Sequence, residues 1–287
     1  MIAHADFSLL DSFERALING RLSMAYQPKI SLTDGGLKRV EALVRWNDPL
    51  LGAIPPSRFV PLAERHGLID ELTRWGLRTT LRQWHAWQDQ GLDTHLAFNI
   101  SALNLNQLDF PVLVEQMCIA LDVPTERLIL ELTESATQPL LRLMDTLTRF
   151  RIKGIGLALD DFGTGYSTLM QLRQLPFTEV KIDRFFISDL ATARESELIV
   201  KSMIDLAHGL GLVAIAEGVE TAEQFQCLRR LACDGIQGYF VSRPIGPELM
   251  ADWFKAWRGR WDQLSRVTDK NITDKSITGA AQRPAHH

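Results

Sequence analysis

The chain has 287 residues, of which 46% are hydrophobic and 23% are charged, and its formal net charge is −4. This is ordinary globular composition, with ample length for a large core. A general nucleic-acid binder usually carries a basic excess, so that class is disfavoured. The three cysteines form no CxxC pair, and this argues against a disulfide framework or a zinc–thiolate site.

The N-terminal half begins with a predicted amphipathic helix over residues 9–20. Strands are predicted over 21–32 and 38–46, with a turn at 33–36 between them, and Glu41 lies inside the second strand. A Pro/Gly-rich loop over 47–59 leads into helices near 57–66 and 69–89. The first residues carry acids without a basic flank, so no signal peptide is indicated. No apolar run approaches the roughly 20 residues needed to cross a bilayer. We expect a cytoplasmic protein that binds neither DNA nor membrane.

From residue 95 one pattern recurs: a short apolar run ends in a polar or acidic residue, and a helix-like stretch follows. The runs are HLAFNIS, RLILELTES, GIGLALDD, TEVKIDR, GLVAIAEGVE and CDGIQGYF. Helices are predicted near 112–121, 138–150, 167–174, 194–210 and 221–232. Alternating strands and helices indicate parallel βαβ units. About eight strands fit a TIM-type (β/α)8 barrel better than an open sheet, and such barrels carry their active site at the carboxyl ends of the strands.

The C-terminal segment is predicted to be helical over 247–263. Trp253, Trp257 and Trp261 recur there at four-residue spacing, either to pack on the barrel or to form a partner surface. From residue 264 the chain is polar without a sustained period, which predicts a disordered tail. We therefore predict one domain over 1–258, including the lead-in helix, with the end of the last helix and the tail over 259–287.

The polar residues at the strand ends are carboxylates and one amide, which are hard oxygen ligands. If the barrel is correct, one mouth gathers Glu41, Asn99, Glu131, Asp160, Asp161 and Glu217. So many acids would repel one another unless a cation neutralised them. This donor set suits Mg²⁺ or Mn²⁺, and two ions bridged by Asp160 or Asp161 would activate a water for in-line phosphoryl displacement.

Three features keep alternatives open. Asp160 and Asp161 either serve as a helix cap and a solvated side chain, or form a metal site beside a loop hinged at Gly163 and Gly165. Lys181 either orients water or phosphate at a strand end, or forms a salt bridge to a neighbouring acid. The same two interpretations apply to Arg45, whose guanidinium has the fork geometry to hold a phosphate.

Several segments together resemble the EAL-domain family of cyclic di-GMP phosphodiesterases, over about residues 9–255. They are YQPKISL, EALVRW, the IPPSRFVPLAERHGLI loop, NIS, ELTES, DDFGTGYSTL, VKIDR, AEGVE and QGYFVSRP. The resemblance implies a modified TIM barrel whose first strand is antiparallel. It also implies hydrolysis of one phosphodiester of cyclic di-GMP to linear pGpG with two Mg²⁺ or Mn²⁺ ions.

Carried onto this sequence, the resemblance assigns roles to individual residues. The implied metal ligands are Glu41, Asn99, Glu131, Asp160 and Asp161, with Glu217 as a further ligand or general base. Lys181 would position the water. The implied substrate contacts are Gln27, Arg45, Asp183 and Gln237. Glu134 would brace the loop over 161–168, which in the family couples dimer contacts to metal binding.

No residue of this set is missing, which favours an active phosphodiesterase. A cyclic di-GMP-binding module without catalysis is the second hypothesis, and a protein-interaction role is the third. The cyclase and sensor domains often fused to these modules are absent from the sequence. We expect a homodimer, and any regulation would come from the dimer, from a partner protein in trans, or from a part of the protein outside this sequence.

Overall fold

The computed structural model describes the backbone of residues 2–133, 140–163 and 172–279 and the side chains of 8–132, 143–163 and 172–265. Within these described ranges, nine strands form one sheet. They are β1 (Leu22–Ser31), β2 (Leu37–Asp48), β3 (Gly52–Ile54), β4 (His95–Asn99), β5 (Leu128–Thr133), β6 (Gly156–Phe162), β7 (Glu179–Ile182), β8 (Val213–Ala216) and β9 (Gly235–Ile236).

Eight of these strands close into a barrel in the order β1-β9-β8-β7-β6-β5-β4-β2, because β1 also pairs with β2. The first strand runs antiparallel to both of its neighbours, and the other barrel strands are parallel. The predicted modified TIM barrel with an antiparallel first strand is confirmed. The short β3 extends β2 outside the barrel as a hairpin, so the prediction of a pure loop over 47–59 was wrong.

Helices surround the barrel. They are α1 (Ile2–Ile18), α2 (Pro56–Arg65), α3 (Ile69–Gln88), α4 (Phe110–Ala120), α5 (Leu140–Ile152), α6 (Arg184–Ser188), α7 (Arg194–Gly209), α8 (Ala222–Arg230) and α9 (Met250–Gly279). Short 3₁₀ turns cover Ala102–Asn106, Thr125–Arg127 and Pro247–Leu249. The sequence did not predict α6, which is too short to show a helical period. Most of the predicted helix over 167–174 lies outside the described residues. None of the helices in the described ranges is long and apolar enough to span a membrane.

The last helix packs against the outside of the barrel beside the β1–β2 turn. Trp257 and Trp261 are buried, so packing on the barrel is the correct interpretation of these two tryptophans. The Trp257 indole N–H donates to the Gly35 carbonyl at 3.1 Å in the β1–β2 turn. The helix continues to Gly279 rather than ending near residue 263 as predicted. Residues 264–278 contain no Gly or Pro to stop it.

Strand alternation separates an outer apolar layer from a polar interior. On β1, Tyr26 and Ile30 belong to the main core between barrel and helices, whereas Gln27 and Lys29 occupy the other face. A second apolar cluster joins α1 and α2 to the mouth end of β2, with Phe13 packed against Trp46 and Phe59 at ring-centroid distances of 5.4 and 5.5 Å. These two layers hold the carboxyl ends of the strands in place.

Candidate active site

The mouth of the barrel receives one side chain of the predicted site from nearly every strand. Glu41 lies on β2, Asn99 ends β4, Glu131 lies on β5 and Asp160 on β6. Lys181 lies on β7, and Glu217 and Gln237 directly follow β8 and β9. In a barrel the carboxyl ends of the parallel strands open on one face. Side chains as distant in sequence as Glu41 and Gln237 therefore meet there.

The Lys181 ammonium is the centre of this cluster. Its Nζ lies 2.8 Å from both Glu131 Oε2 and Glu217 Oε1. It lies 3.1 Å from Asp160 Oδ1 and 3.6 Å from Glu41 Oε2. The lysine is buried, so this network is shielded from water and its interactions are strong. The salt-bridge interpretation of Lys181 therefore describes the arrangement in this structure.

Burial and the neighbouring lysines shift the pKa values of the acids in opposite directions. Burial raises the pKa of Glu131 to about 7, helped by repulsion from Glu41 and opposed by the two lysines. Burial likewise raises the pKa of Glu217 to about 8. For Glu41, the attraction of Lys181 and Lys29 outweighs the effect of burial and lowers the pKa to about 2. The mouth thus contains more acid than its cations neutralise.

Glu41 is held by two amide groups in addition to the lysines. Asn99 Nδ2 donates to its Oε1 at 2.7 Å, and Gln237 Nε2 donates to its Oε2 at 2.7 Å. Gln237 Nε2 also donates to Gln27 Oε1 at 2.9 Å. The Gln27 amide in turn donates to the Ser242 carbonyl at 3.0 Å. The three predicted amides therefore belong to one network, in which Asn99 and Gln237 fix the Glu41 carboxylate.

The two adjacent aspartates are separated by an unusual backbone turn. Asp161 has a φ of 56°, and its N–H donates to Asp160 Oδ1 at 2.9 Å. Burial, together with repulsion from Asp160, raises the pKa of Asp161 to about 6. Asp160 faces Lys181, so it is part of the cluster and not merely solvated. The positive φ of Asp161 therefore places a strained backbone conformation directly beside the acidic cluster.

Gly163 follows this turn at a φ of 102°, and an added Cβ would lie 2.8 Å from both Met203 and Phe186. The positive φ and the close neighbours of Gly163 favour glycine at this predicted hinge position. Two further predicted residues, Glu134 and Gly165, lie outside the described part of the chain.

Two predicted substrate residues take other partners in this structure. The Asp183 side chain caps α6 by accepting from the Phe185 N–H at 2.8 Å, and it is hydrogen-bonded to Asp161. Arg45 is half-buried and donates from Nη1 to the neighbouring Val44 carbonyl at 2.9 Å. Burial lowers its pKa, and attraction to Glu41 opposes that shift. Neither residue is among the described residues that line the polar cavity of the mouth.

Two cavities open side by side at this end of the barrel. A polar cavity of 250 Å³ is lined by six predicted site residues. They are Gln27, Glu41, Asp160, Lys181, Glu217 and Gln237. An apolar cavity of 510 Å³ lies between β2, α2 and α3, and its lining includes Trp75, Phe98 and Leu103. Leu43 borders both cavities, so they are neighbours.

The apolar cavity contains a carboxylate that sequence reasoning missed. Glu64 lines this cavity, and its Oε1 accepts a hydrogen bond from Ser101 Oγ at 2.7 Å. Ser101 lies in the loop after β4, which is fixed by buried Asn104 through the Ser101 N–H at 3.0 Å and Thr73 Oγ1 at 3.1 Å. An acid within an amphipathic helix gives no distinguishing signal in the sequence.

A second layer of charged residues lies beneath the mouth and was also missed. Lys29 on β1 and Glu179 on β7 are each only 1% exposed, and Arg39 on β2 accompanies them. The available signal was spacing, because each of the three lies two residues away from a predicted site residue on its own strand. Residues two apart on a strand share one face. The site residues concerned are Gln27, Lys181 and Glu41, respectively.

The donor atoms at the mouth fit a hard divalent cation by type, since they are carboxylates and one amide. Within the described ranges, however, no three acidic, histidine or cysteine side chains already surround a common point at metal-binding spacing. The carboxylates surround the Lys181 ammonium instead. The chemistry of the site therefore fits a metal, while the positive charge present in this arrangement is that of the lysine.

The fold and the site together define a (β/α)8-type barrel protein whose mouth carries an acidic centre built around a buried lysine. The family model "EAL domain" matches residues 10–244. The chain belongs to the EAL domain family.

Known proteins similar to this chain include two from Pseudomonas aeruginosa. The chain is 38% identical over 251 residues to "Cyclic di-GMP phosphodiesterase PA2567", covering 87% of this chain and 43% of that protein. It is 36% identical over 241 residues to "Cyclic di-GMP phosphodiesterase RocR", covering 83% and 61%. The chain thus spans less than two thirds of the length of these relatives.

A similar solved structure is titled "PaMucR Phosphodiesterase, c-di-GMP complex". It has a TM-score of 0.80 and 39% identity, and the match covers 85% of this chain and 99% of that one.

Proposed function

We propose that this chain hydrolyses one phosphodiester bond of cyclic di-GMP to give linear pGpG. The observation that carries the proposal is the convergence of four carboxylates from different strands within 3.6 Å of one buried lysine at the barrel mouth. The relatives named as cyclic di-GMP phosphodiesterases support the choice of substrate.

Two Mg²⁺ or Mn²⁺ ions are proposed as cofactors, held by the acidic centre. The residues that would hold them are Glu41, Asn99, Glu131, Asp160, Asp161 and Glu217. When bound, such ions lower the pKa of a water and stabilise the charge that develops on a phosphoryl group. The excess of acid over cation at the mouth supports this assignment, because a buried cluster of that kind demands positive charge.

The protein's own residues would orient the reactants. Lys181, a buried donor at the centre of the cluster, would position the attacking water, and Glu217 would accept its proton. Gln27 and Gln237 line the polar cavity and would contact the ligand. Arg45 and Asp183 would join them, which requires each to exchange its present partner.

The paired cavities support a substrate with both phosphate and base moieties. The apolar cavity has aromatic walls that suit a purine ring. The Glu64 carboxylate lies on its lining, where it could accept hydrogen bonds from the N–H edge of guanine. The polar cavity beside it would receive the phosphodiester. A homodimer and a regulatory partner in trans remain part of the proposal.

The test is to incubate the purified chain with cyclic di-GMP and Mg²⁺ or Mn²⁺ and to look for pGpG by chromatography. We expect product with metal and none after chelation by EDTA. Tight binding of cyclic di-GMP without product would replace this proposal with a non-catalytic receptor. Neither binding nor product would favour a protein-interaction role.

A further inference from the structure

The barrel interior beneath the mouth is crossed by charged side chains from strands that are not neighbours. Lys29 Nζ on β1 donates to Glu131 Oε1 on β5. Arg39 Nε on β2 lies 2.6 Å from Glu179 Oε2 on β7. Lys29 Nζ is also 3.9 Å from Glu179 Oε1 and 4.0 Å from Glu41 Oε2. These contacts link the acidic centre to the layer below it.

On the opposite wall of the barrel, apolar side chains leave room for these charged side chains. Ala97, Ile129 and Ala158 line the inner faces of β4, β5 and β6 as a separate apolar cluster. Each lies two residues before Asn99, Glu131 or Asp160, and so on the same face one layer lower. The long Lys29 side chain can therefore reach across the barrel to Glu131.

Both carboxylate oxygens of Glu131 are paired with lysines. Its side chain is fully buried, and its two oxygens have different partners. Oε1 accepts from Lys29, which approaches from below, and Oε2 accepts from Lys181 at 2.8 Å. Lys29 therefore restricts rotation of the carboxylate from below, while Lys181 holds the oxygen that faces the mouth.

We propose that Lys29 is a positioning residue that fixes Glu131 for metal binding. The Glu179–Arg39 pair contributes only to the charge balance around Lys29 and does not affect metal affinity. The inference rests on the proposed metal centre. Lys29 would act on the metal through Glu131, without contacting the metal or the substrate itself. A partner that orients a ligand typically changes metal affinity by about 10–100-fold when it is removed.

Orientation and simple charge predict opposite results. Lys29 is a cation close to the acidic centre, so by charge alone its removal would tighten binding of another cation. If Lys29 acts by holding Glu131, its removal frees that carboxylate and weakens binding. Measured at a pH high enough to keep the acids of the centre ionised, the sign of the change in Mn²⁺ affinity therefore discriminates between the two.

The experiment measures Mn²⁺ binding, without nucleotide, by the loss of the free-ion electron paramagnetic resonance signal. The full chain is compared with Lys29→Met, which nearly keeps the length of the side chain and removes the ammonium. We expect the Mn²⁺ dissociation constant to rise by about tenfold or more, within the range seen for such supporting residues. Tighter or unchanged binding by a folded Lys29→Met protein would overturn the proposal.

Glu179→Gln is the matched control, because it changes the same layer without touching Glu131. It should lower the melting temperature by leaving Arg39 and Lys29 less well paired, yet keep the wild-type Mn²⁺ affinity. If Lys29→Met does not fold, the double variant Lys29→Met/Glu179→Gln removes one charge of each sign and carries the test. It should recover stability and still bind Mn²⁺ weakly.

Wild-type affinity in the double variant would show that Lys29 serves only to neutralise Glu179, and would overturn the proposal. An equal loss of affinity in Glu179→Gln would overturn it as well, because the effect would not be specific to Glu131. Absence of Mn²⁺ binding by the wild type would instead overturn the metal centre, and the role of Lys29 with it.

Discussion

At the residue scale, Glu41 shows how one side chain can be specified by several distant partners. It accepts hydrogen bonds from Asn99 and Gln237, and it lies within reach of Lys181 and Lys29. The lysines lower its pKa to about 2 despite burial. Glu41 therefore remains ionised at any pH at which its neighbours Glu131 and Glu217 take up protons.

Replacing Glu41 by Ala should abolish hydrolysis of cyclic di-GMP, because the acidic centre loses one of its carboxylates. Loss of a ligand from a site for a hard cation should also weaken metal binding. Turnover is measured by chromatography of pGpG. The matched control is Glu115→Ala, which removes an acid that pairs with Lys153 on the outer layer of helices and should retain activity. Retained turnover in Glu41→Ala would contradict the metal assignment.

At the scale of elements, the βα turns decide how the acids are presented. Gly218 follows Glu217 after β8 and has a φ of 64°. An added Cβ would lie 2.3 Å from the Cβ of Arg184, at the start of α6. The turn that carries Glu217 therefore requires glycine both for its backbone conformation and for the close approach of α6.

Gly218→Ala should destabilise the fold by about 1–3 kcal/mol, as expected for a strained backbone at such a position. It should also slow turnover, because the Glu217 turn must shift. Denaturant unfolding and the chromatographic assay measure the two effects. Gly209→Ala is the control: this glycine ends α7, and an added Cβ there meets nothing within 4 Å. An unchanged stability in Gly218→Ala would show that the turn relaxes freely.

The β1–β2 turn gives a pH-dependent contribution to stability. Asp34 accepts from the Lys38 ammonium at 2.8 Å and from the Gly36 N–H at 2.9 Å. These hydrogen bonds lower its pKa from 3.8 to about 2. Because the folded-state value is the lower one, the stabilisation is complete above about pH 4 and is lost as the pH falls through 2.

Asp34→Asn should therefore cost stability at pH 7 and progressively less as the pH falls from about 4 to about 2. The pair is half-exposed, so a loss of about 0.2–1 kcal/mol is expected. Denaturant unfolding at several pH values measures it. Asp252→Asn, which removes an acid from an exposed pair with Lys255 on α9, is the control. A deficit that stays constant over this pH range would contradict the role of the Asp34 charge.

At the scale of the whole molecule, the reactivity of the three cysteines indicates whether the folded protein has unfolded. Cys118, Cys227 and Cys233 are free thiols buried in the main core, between the barrel and the helices. Burial raises the pKa of all three, to about 11 for Cys118 and about 12 for Cys233. The reactive thiolate is therefore scarce as well as inaccessible in the folded protein.

Iodoacetamide at about pH 8 should label the folded chain very slowly, and the three thiols should react together when it unfolds. Mass spectrometry of labelled protein gives the rate at each position, and the denatured chain serves as the fully reactive control. Rapid labelling of a single cysteine in the folded protein would indicate local opening around that residue.

Local patterning was sufficient to predict most of the fold. Alternating apolar strands and amphipathic helices predict the barrel, and the polar residues that end the strands predict Glu41, Glu131, Asp160 and Glu217 at its mouth. These predictions succeed because strand period and the geometry of parallel strands follow from the backbone itself. The prediction that the first strand is antiparallel rested on the family resemblance. The periodicity of β1 indicates neither the direction of the strand nor its partners.

The tertiary structure alone decided which charges meet. Lys29, Arg39 and Glu179 read as ordinary strand residues, and only closure of the barrel brings them together across its interior. The same holds for Glu64 on the apolar cavity and for the Asp183 cap of α6. Ion pairing depends on distances of a few ångströms between strands far apart in sequence. Sequence spacing fixes the face on which a side chain lies, and the closed barrel fixes its partner.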